Sequence, residues 1–281
     1  MPCSAITLSL ATICAVVSVA LLAIAFGTDN WQYIRVDRID IEQNLGRSDI
    51  SPQQFQDEGL YRTRTKGLFR ICYPDTKPRG EDLYLSPVET YCQNIDYHIF
   101  NDEADTSQFT DDEMVRLHMA RSMIALFIVS FFFVFVAFWT GVAGCWRRSP
   151  GNIASTAILM LLACLFSAGG MGLWHGVEYY EDEKLKNEPW KASWSQLLRE
   201  NTAVVYDWSY FIAWIGVGWA LISALLFSGA SVCLRSERER EDAKNMAYLM
   251  PVYPQKQQYP SYGYGYPGPY HYGSQYGPYN Y

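Results

Sequence analysis

The sequence lacks the parts that most function classes require. Four stretches, 5–26, 122–145, 153–174 and 208–234, contain no Asp, Glu, Lys, Arg or His. An internal proton relay or ion path is built from ionisable side chains at membrane depth, so a transporter acting alone is not the expected function. No CxxC pair and no cluster of imidazoles is present, which removes the ligand spacing of a zinc or redox centre. No nucleophile with a matching base and no phosphate-binding loop stands out, so catalysis is the least supported class and no cofactor is expected. The net charge of -7 argues against a nucleic-acid partner, which needs a basic face. The polar stretches 27–121 and 175–207 also lack an Asn-x-Ser/Thr glycan acceptor.

What is present is a chain built in blocks. Hydrophobic residues make up 49% of it, yet mean hydropathy is only -0.08, as expected when apolar runs alternate with polar segments. Each of the four uncharged runs reaches the roughly 20 residues needed to cross a hydrocarbon core. The first could be a signal peptide, but it has no basic leader and its apolar core exceeds the roughly 7 to 15 residues of that class. It is therefore predicted to stay as a span. The loop 146–152 carries Arg147 and Arg148 and no acidic residue, which places it in the cytoplasm. Residues 1–4 and 235–281 then lie inside, and 27–121 and 175–207 outside. The outer loops hold 18 acidic and 11 basic residues, and 7 and 4, respectively.

Along the chain, Trp31 and Tyr33 are expected as aromatic anchors where the first span leaves the bilayer. Ile34, Val36, Ile39 and Ile41 alternate with charged residues and predict one strand. The stretch 44–65 is polar and weakly patterned and reads as an extended loop. Residues 67–73 and 89–100, rich in aromatic and β-branched types between prolines and glycines, predict two further strands. Cys72 and Cys92 are the two cysteines on the oxidising side, which predicts a disulfide; a metal or redox site is the alternative, with His98 as its one nearby imidazole. Thr110 and Glu113 form a capping-box pattern that predicts a helix running into the second span. Arg116 and Arg121 on that helix are expected to snorkel to headgroups.

In the third span, Ala168 and Gly172 form a small-xxx-small pair, expected to pack inside the bundle. The acidic group Glu178, Glu181, Asp182 and Glu183 reads as a solvated helix extension, and Trp190, Trp194, Leu197 and Leu198 as a cover for the sheet. His175 reads as an interfacial residue. Cys145 and Cys233, beside basic residues at the inner face, are candidate palmitoylation sites. The tail from Tyr248 to Tyr281 is Tyr-, Pro- and Gly-rich and is expected to be disordered and to recruit cytoplasmic partners through its tyrosines; its end, Tyr279-Asn280-Tyr281, is a weak PDZ-ligand candidate.

These residues carry a resemblance. Gly27-Thr28-Asp29-Asn30-Trp31, then Gly67-Leu68-Phe69, then Cys72 and Cys92, then Arg121 at the second span, resemble the outer signature of the claudin superfamily, which includes peripheral myelin protein and the calcium-channel gamma and stargazin-like subunits. Phe69 stands where that signature has a second tryptophan. Gly-Thr-Asp-x-Trp and Tyr206-Asp207-Trp208-Ser209-Tyr210-Phe211 are similar to the gamma and stargazin side, and the run 67–100 is similar to transmembrane protein 178. The resemblance covers residues 4–234. It implies a left-handed four-helix membrane bundle bearing an extracellular antiparallel β-sheet, with the lipid bilayer and other integral membrane proteins as partners. The function it implies is non-enzymatic: a laterally bound auxiliary subunit of a channel or receptor, with a cell-junction or adhesion component as the alternative. Plasma membrane or cell junction is the expected location, and the endoplasmic reticulum the other.

Overall fold

The computed structural model describes residues 3–47, 50–75, 77–79, 83–97, 110–186 and 189–249. In chain order, α1 (Cys3–Gly27) is followed by β1 (Gln32–Val36), α2 (Arg38–Asn44) and α3 (Pro52–Asp57). Next come β2 (Arg64–Lys66), β3 (Arg70–Tyr73), β4 (Tyr84–Leu85) and β5 (Tyr91–Asn94). Then α4 (Asp111–Arg147) and α5 (Pro150–Tyr179) form a hairpin, with α5 continued by a π-helical turn, Tyr180–Lys184. Finally α6 (Gln196–Glu200), β6 (Thr202–Tyr206) and α7 (Trp208–Leu249) complete the described chain. The four long helices are apolar and long enough to cross a membrane.

Small residues and hydroxyls set the helix contacts. The Ser130 hydroxyl donates to the Ala163 carbonyl at 2.8 Å, and Gly170 leaves no room for a Cβ, which would stand 2.9 Å from the Phe127 ring. On the other side of the bundle the Ser18 hydroxyl donates to the Gly216 carbonyl at 2.8 Å and Ser223 to Ala11 at 3.0 Å. Such contacts replace the hydrophobic drive that lipid tails remove. The expected contact of Gly172 is not observed: this glycine is exposed, with nothing within 4 Å of its Cβ position, and Gly170 makes the close approach instead.

The sheet is antiparallel, in the order β4-β5-β3-β2-β1-β6. Cys72 and Cys92 face each other in the β3–β5 register and are bonded. Their sequence separation is 20, for which loop closure predicts about 3 kcal/mol of stabilisation. The double replacement of both by serine is therefore expected to lower stability by about that amount, read from thermal melting. Non-reducing peptide mass spectrometry should recover the two cysteines cross-linked in the native protein. Recovery of both as separately alkylated peptides would contradict this.

Three expectations are corrected. The strand expected through Ile41 ends at Val36, because Asp37 caps α2: its carboxylate accepts from the amides of Ile39 at 3.2 Å and Asp40 at 3.4 Å. The stretch 44–65 is not an extended loop. Ser51 and Gln54 form a capping box that starts α3, and Phe55 and Tyr61 join Ile34, Val36, Ile41 and Leu198 in a second, smaller core. The predicted strand over 89–100 is observed only as Tyr91–Asn94; His98 and residues 99–100 lie outside the described residues.

The helix predicted from Thr110 does start there, with Thr110 accepting from the Glu113 amide and Glu113 accepting from the Thr110 amide at 2.8 Å. Met1–Glu239 forms one compact unit and Arg240–Tyr281 a second, whose described part, to Leu249, is helical. The Tyr-rich tail from 250 lies outside the described residues.

Candidate functional site

The residues of the outer signature assemble at the mouth of the bundle. Trp31 is fully buried rather than interfacial. Its indole N–H donates to the Ala25 carbonyl at 2.8 Å, and its ring lies 5.0 Å from Trp174 and 6.1 Å from Phe127. The indole thus closes the end of α1, whose last carbonyls have no helical partner. Gly67 is required by the close approach behind it: a Cβ there would lie 2.5 Å from the Asp29 Cα. Leu68 is fully buried beneath, and Phe69 packs edge-on against Phe26 at 5.0 Å. Because this contact is between rings, phenylalanine serves here without an indole donor.

Arg121 is held by the same unit and does not snorkel. Its guanidinium donates to the Tyr97 carbonyl, at 2.7 Å from Nε, and the Tyr97 hydroxyl donates to the Leu68 carbonyl. Burial pushes the Tyr97 phenol up to about 12, although the nearby Arg116 charge acts in the opposite sense. Asp29 and Arg70 pair at 2.7 Å across the turn that contains Gly67. The chain from Arg121 through Tyr97 and Leu68 to the Gly67 turn ties α4 to the sheet.

Beside these signature residues lies an ion cluster that reading of the uncharged spans missed. Glu181, on the π-helical turn, is buried. Its Oε1 accepts from Arg116 Nε at 2.9 Å and Nη2 at 2.6 Å, and its Oε2 pairs with Lys66. Arg116 is also buried, and its guanidinium stacks 4.2 Å over Trp190. These are not the solvated extension and snorkelling arginine expected from the sequence. Burial draws the Lys66 ammonium below its usual pKa; Glu181 opposes that shift and the Arg116 charge adds to it.

Around the cluster, Glu178 accepts from Gln32 at 2.9 Å and from the Tyr206 hydroxyl at 2.6 Å, and Asp182 pairs with Lys191 at 2.7 Å. His175 bonds the Tyr210 hydroxyl at 3.1 Å and lies 3.4 Å from Glu178. Trp194, Leu197 and Leu198 cover the second core as expected.

The sheet face, the sheet-side ends of α4 and α5 and the Trp190–Trp194 segment border a partly open cavity of about 700 Å3, lined by Lys66, Arg116, Glu181, Gln93, Trp190 and Trp194 among others. Among the described residues no group of three His, Cys, Asp or Glu is placed to hold a metal ion.

Among the described residues β6 stands at one edge of the sheet. β6 pairs with β1 over Gln32–Val36 and is the last strand in the order. Its Val205 and Tyr206 are exposed, and across Asp207 the exposed surface continues along α7 through Trp208, Phe211, Ile215, Trp219 and Ile222. That spacing follows one helix face. Cys145 is exposed and Cys233 half-buried, whereas Cys14 and Cys164 are buried.

The family model described as PMP-22/EMP/MP20/Claudin tight junction matches residues 16–229. The chain belongs to this family. No individual curated protein matches it. The match runs from within α1 to within α7 and takes in all six strands, so the chain is a claudin-family, multi-pass membrane protein with a four-helix bundle and a small antiparallel sheet.

Proposed function

We propose that this claudin-family protein acts by lateral association, as a non-enzymatic auxiliary subunit that regulates an ion channel or receptor. The observation that carries this reading is the exposed surface that runs from the edge strand β6 down α7 among the described residues. An aromatic belt explains Trp208 and Phe211, which begin the helix at the interface. It does not explain Trp219, which lies 11 residues on, about 16 Å deeper and near the middle of a hydrocarbon core about 30 Å thick. Tryptophan at that depth supplies contact area for another membrane protein. The similarity of Gly27-Thr28-Asp29-Asn30-Trp31 to the gamma and stargazin-like subunits, and of residues 67–100 to transmembrane protein 178, points the same way. α4 exposes Phe132, Phe135 and Phe138 as well, but among the described residues no strand leads directly into it, whereas β6 leads into α7 across one residue.

In this arrangement the sheet is extracellular, both termini and the Arg147-Arg148 loop are cytoplasmic, and the protein works at the plasma membrane or a cell junction. Cys145 and Cys233 at the inner face accept palmitate, and the Tyr-rich tail recruits cytoplasmic partners. The second reading, a junctional component, is favoured by the family's own description.

The two separate in cells that form no junctions. Co-expression is expected to alter a calcium-channel, glutamate-receptor or store-operated current, and the pair Val205→Lys and Trp219→Leu to abolish the change at equal surface level. Altered electrical resistance across an epithelial layer, with all three currents unchanged, would overturn the lateral reading in favour of the junctional one.

A further inference from the structure

The lipid-facing side of α4 differs from that of its neighbours. Ile128, Phe132, Phe135, Trp139, Val142 and Trp146 are all exposed, at alternating spacings of four and three residues that keep them on one helix face. Within the apolar runs of α1 and α5 the exposed large residues are aliphatic instead, as at Leu10, Ile13, Leu161 and Leu165. The α4 rings also hold one another. Trp139 stands edge-on to Phe135 at 6.2 Å and to Phe138 at 5.4 Å, so the wall is ordered before anything meets it.

This face ends at two arginines that lack counter-charges. Arg147 and Arg148 are exposed, and neither side chain has a hydrogen-bond or ion-pair partner among the described residues. No Asp or Glu occurs between Glu113 and Glu178. At the corresponding end of α7, by contrast, Arg235 pairs with Glu239 at 3.1 Å. Arg148 moreover ends α4 at a φ of 46°, the left-handed conformation in which glycine is usual and arginine is strained. The backbone turn therefore does not explain the arginine.

An aromatic belt accounts for Trp146 beside these arginines, but not for Phe135 and Phe132, about 16 and 21 Å deeper along the helix. The aromatic stretch is thus little longer than one leaflet, half of a hydrocarbon core about 30 Å thick. The rest of the exposed face carries Ala125, Ile128 and Val129, which are small or aliphatic. A helix of another protein would cross both leaflets, whereas a phospholipid occupies one and holds its phosphate at the depth of the arginines. We propose that this face of α4 binds an anionic phospholipid of the inner leaflet, with its phosphate held by Arg147 and Arg148 and an acyl chain along Trp139 and Phe135. Guanidinium forks match phosphate oxygens, and the two unpaired charges select an anionic headgroup over a zwitterionic one. The inner leaflet follows from the cytoplasmic position assigned to the Arg147-Arg148 loop; the contact itself does not depend on it.

The test uses the full chain in nanodiscs made from an equal mixture of phosphatidylcholine and phosphatidylserine, the same in both leaflets. Native mass spectrometry of the released protein is expected to find phosphatidylserine retained over phosphatidylcholine by on the order of tenfold. Arg147→Gln combined with Arg148→Gly should abolish that preference. The same variant should melt in pure phosphatidylcholine no lower than wild type, because glycine relieves the left-handed strain, so misfolding cannot imitate the loss. Phe135→Leu combined with Trp139→Leu keeps the surface apolar and should reduce the preference by about threefold. Arg235→Gln, which removes a paired arginine at the same side of the membrane, should leave it unchanged. Equal retention of the two lipids, a preference that survives loss of both arginines, or one that Arg235→Gln lowers as much as they do, overturns the proposal. Oxidative cross-linking of Phe135→Cys into dimers in cell membranes would assign the face to a second copy of the chain and overturn it as well.

Discussion

Glu181→Gln is expected to lower the stability of the bundle-and-sheet unit by about 3 to 5 kcal/mol, the usual cost of leaving a buried charge without its partner. For a unit of this size that is on the order of 10 °C in melting temperature. Glutamine nearly keeps the volume of glutamate, so the change removes charge without opening a cavity. What remains is Lys66 beside Arg116, two cations shielded from water with nothing between them. The lysine can relieve the repulsion by losing its proton, whereas the guanidinium cannot.

A pH signature follows. In the wild type, burial already holds the folded-state pKa of Lys66 below the ordinary lysine value of 10.5. Between that depressed value and 10.5 the unfolded chain binds the proton and the folded chain does not, so this group makes stability rise with pH across the window. Without Glu181 the window widens downward, and the variant should recover part of its deficit relative to wild type as pH is raised toward 10. Adding Lys66→Met should recover part of it at neutral pH as well. A deficit that is independent of pH and not reduced by Lys66→Met would show that Glu181 acts through packing instead.

This cluster also shows where reading the chain as apolar runs falls short. Span detection ends the third helix at Trp174, the last residue before the charges begin. The helix does not end there: Trp174, Val177 and Glu181 are all buried, at a spacing that continues the inward face two turns beyond the uncharged run. Arg116 is placed in the same way, one turn ahead of Ala120, Met123 and Phe127 on the buried face of α4. Following helical periodicity past the hydrophobic limits would have identified both charges as inward. That they meet Lys66 was not legible, because the pairing depends on how β2 lies over the helix ends.

Elsewhere local chemistry was readable. The capping box at Thr110 and the pairing of Cys72 with Cys92 are properties of a few residues whose partners are local or dictated by compartment. β6 was missed because Thr202–Tyr206 is a short run in a loop read as a helix extension followed by a cover for the sheet, and its strand form comes from five paired positions on β1, far away in sequence. The segment 44–65 was misread for a related reason. Ile50, Phe55 and Tyr61 are too sparse to show a period, yet each is buried in the second core.

Trp31→Ala is expected to cost about 3 to 5 kcal/mol, as removal of a fully buried aromatic does in well-packed cores. The sequence alone suggests a mild effect, since an interfacial anchor would lose only part of its contact with headgroups. The structure gives the ring a different task. It lies against Trp174 from α5 and Phe127 from α4, and its N–H satisfies the Ala25 carbonyl near the end of α1. Its backbone amide donates to the Lys66 carbonyl at 3.1 Å, and its carbonyl accepts from the Asp207 amide at 3.0 Å. One residue therefore joins three helices and both neighbours of β1. Trp31→Phe keeps most of the area and loses the indole hydrogen bond, but the Thr28 hydroxyl still reaches the Ala25 carbonyl at 3.3 Å, so the change should cost about 0.5 to 1.5 kcal/mol, the net worth of one hydrogen bond. Melting of the two variants in detergent, read against wild type, separates the contributions. A Trp31→Ala loss below about 1 kcal/mol, within the range of ordinary surface changes, would return this tryptophan to the role of a membrane anchor.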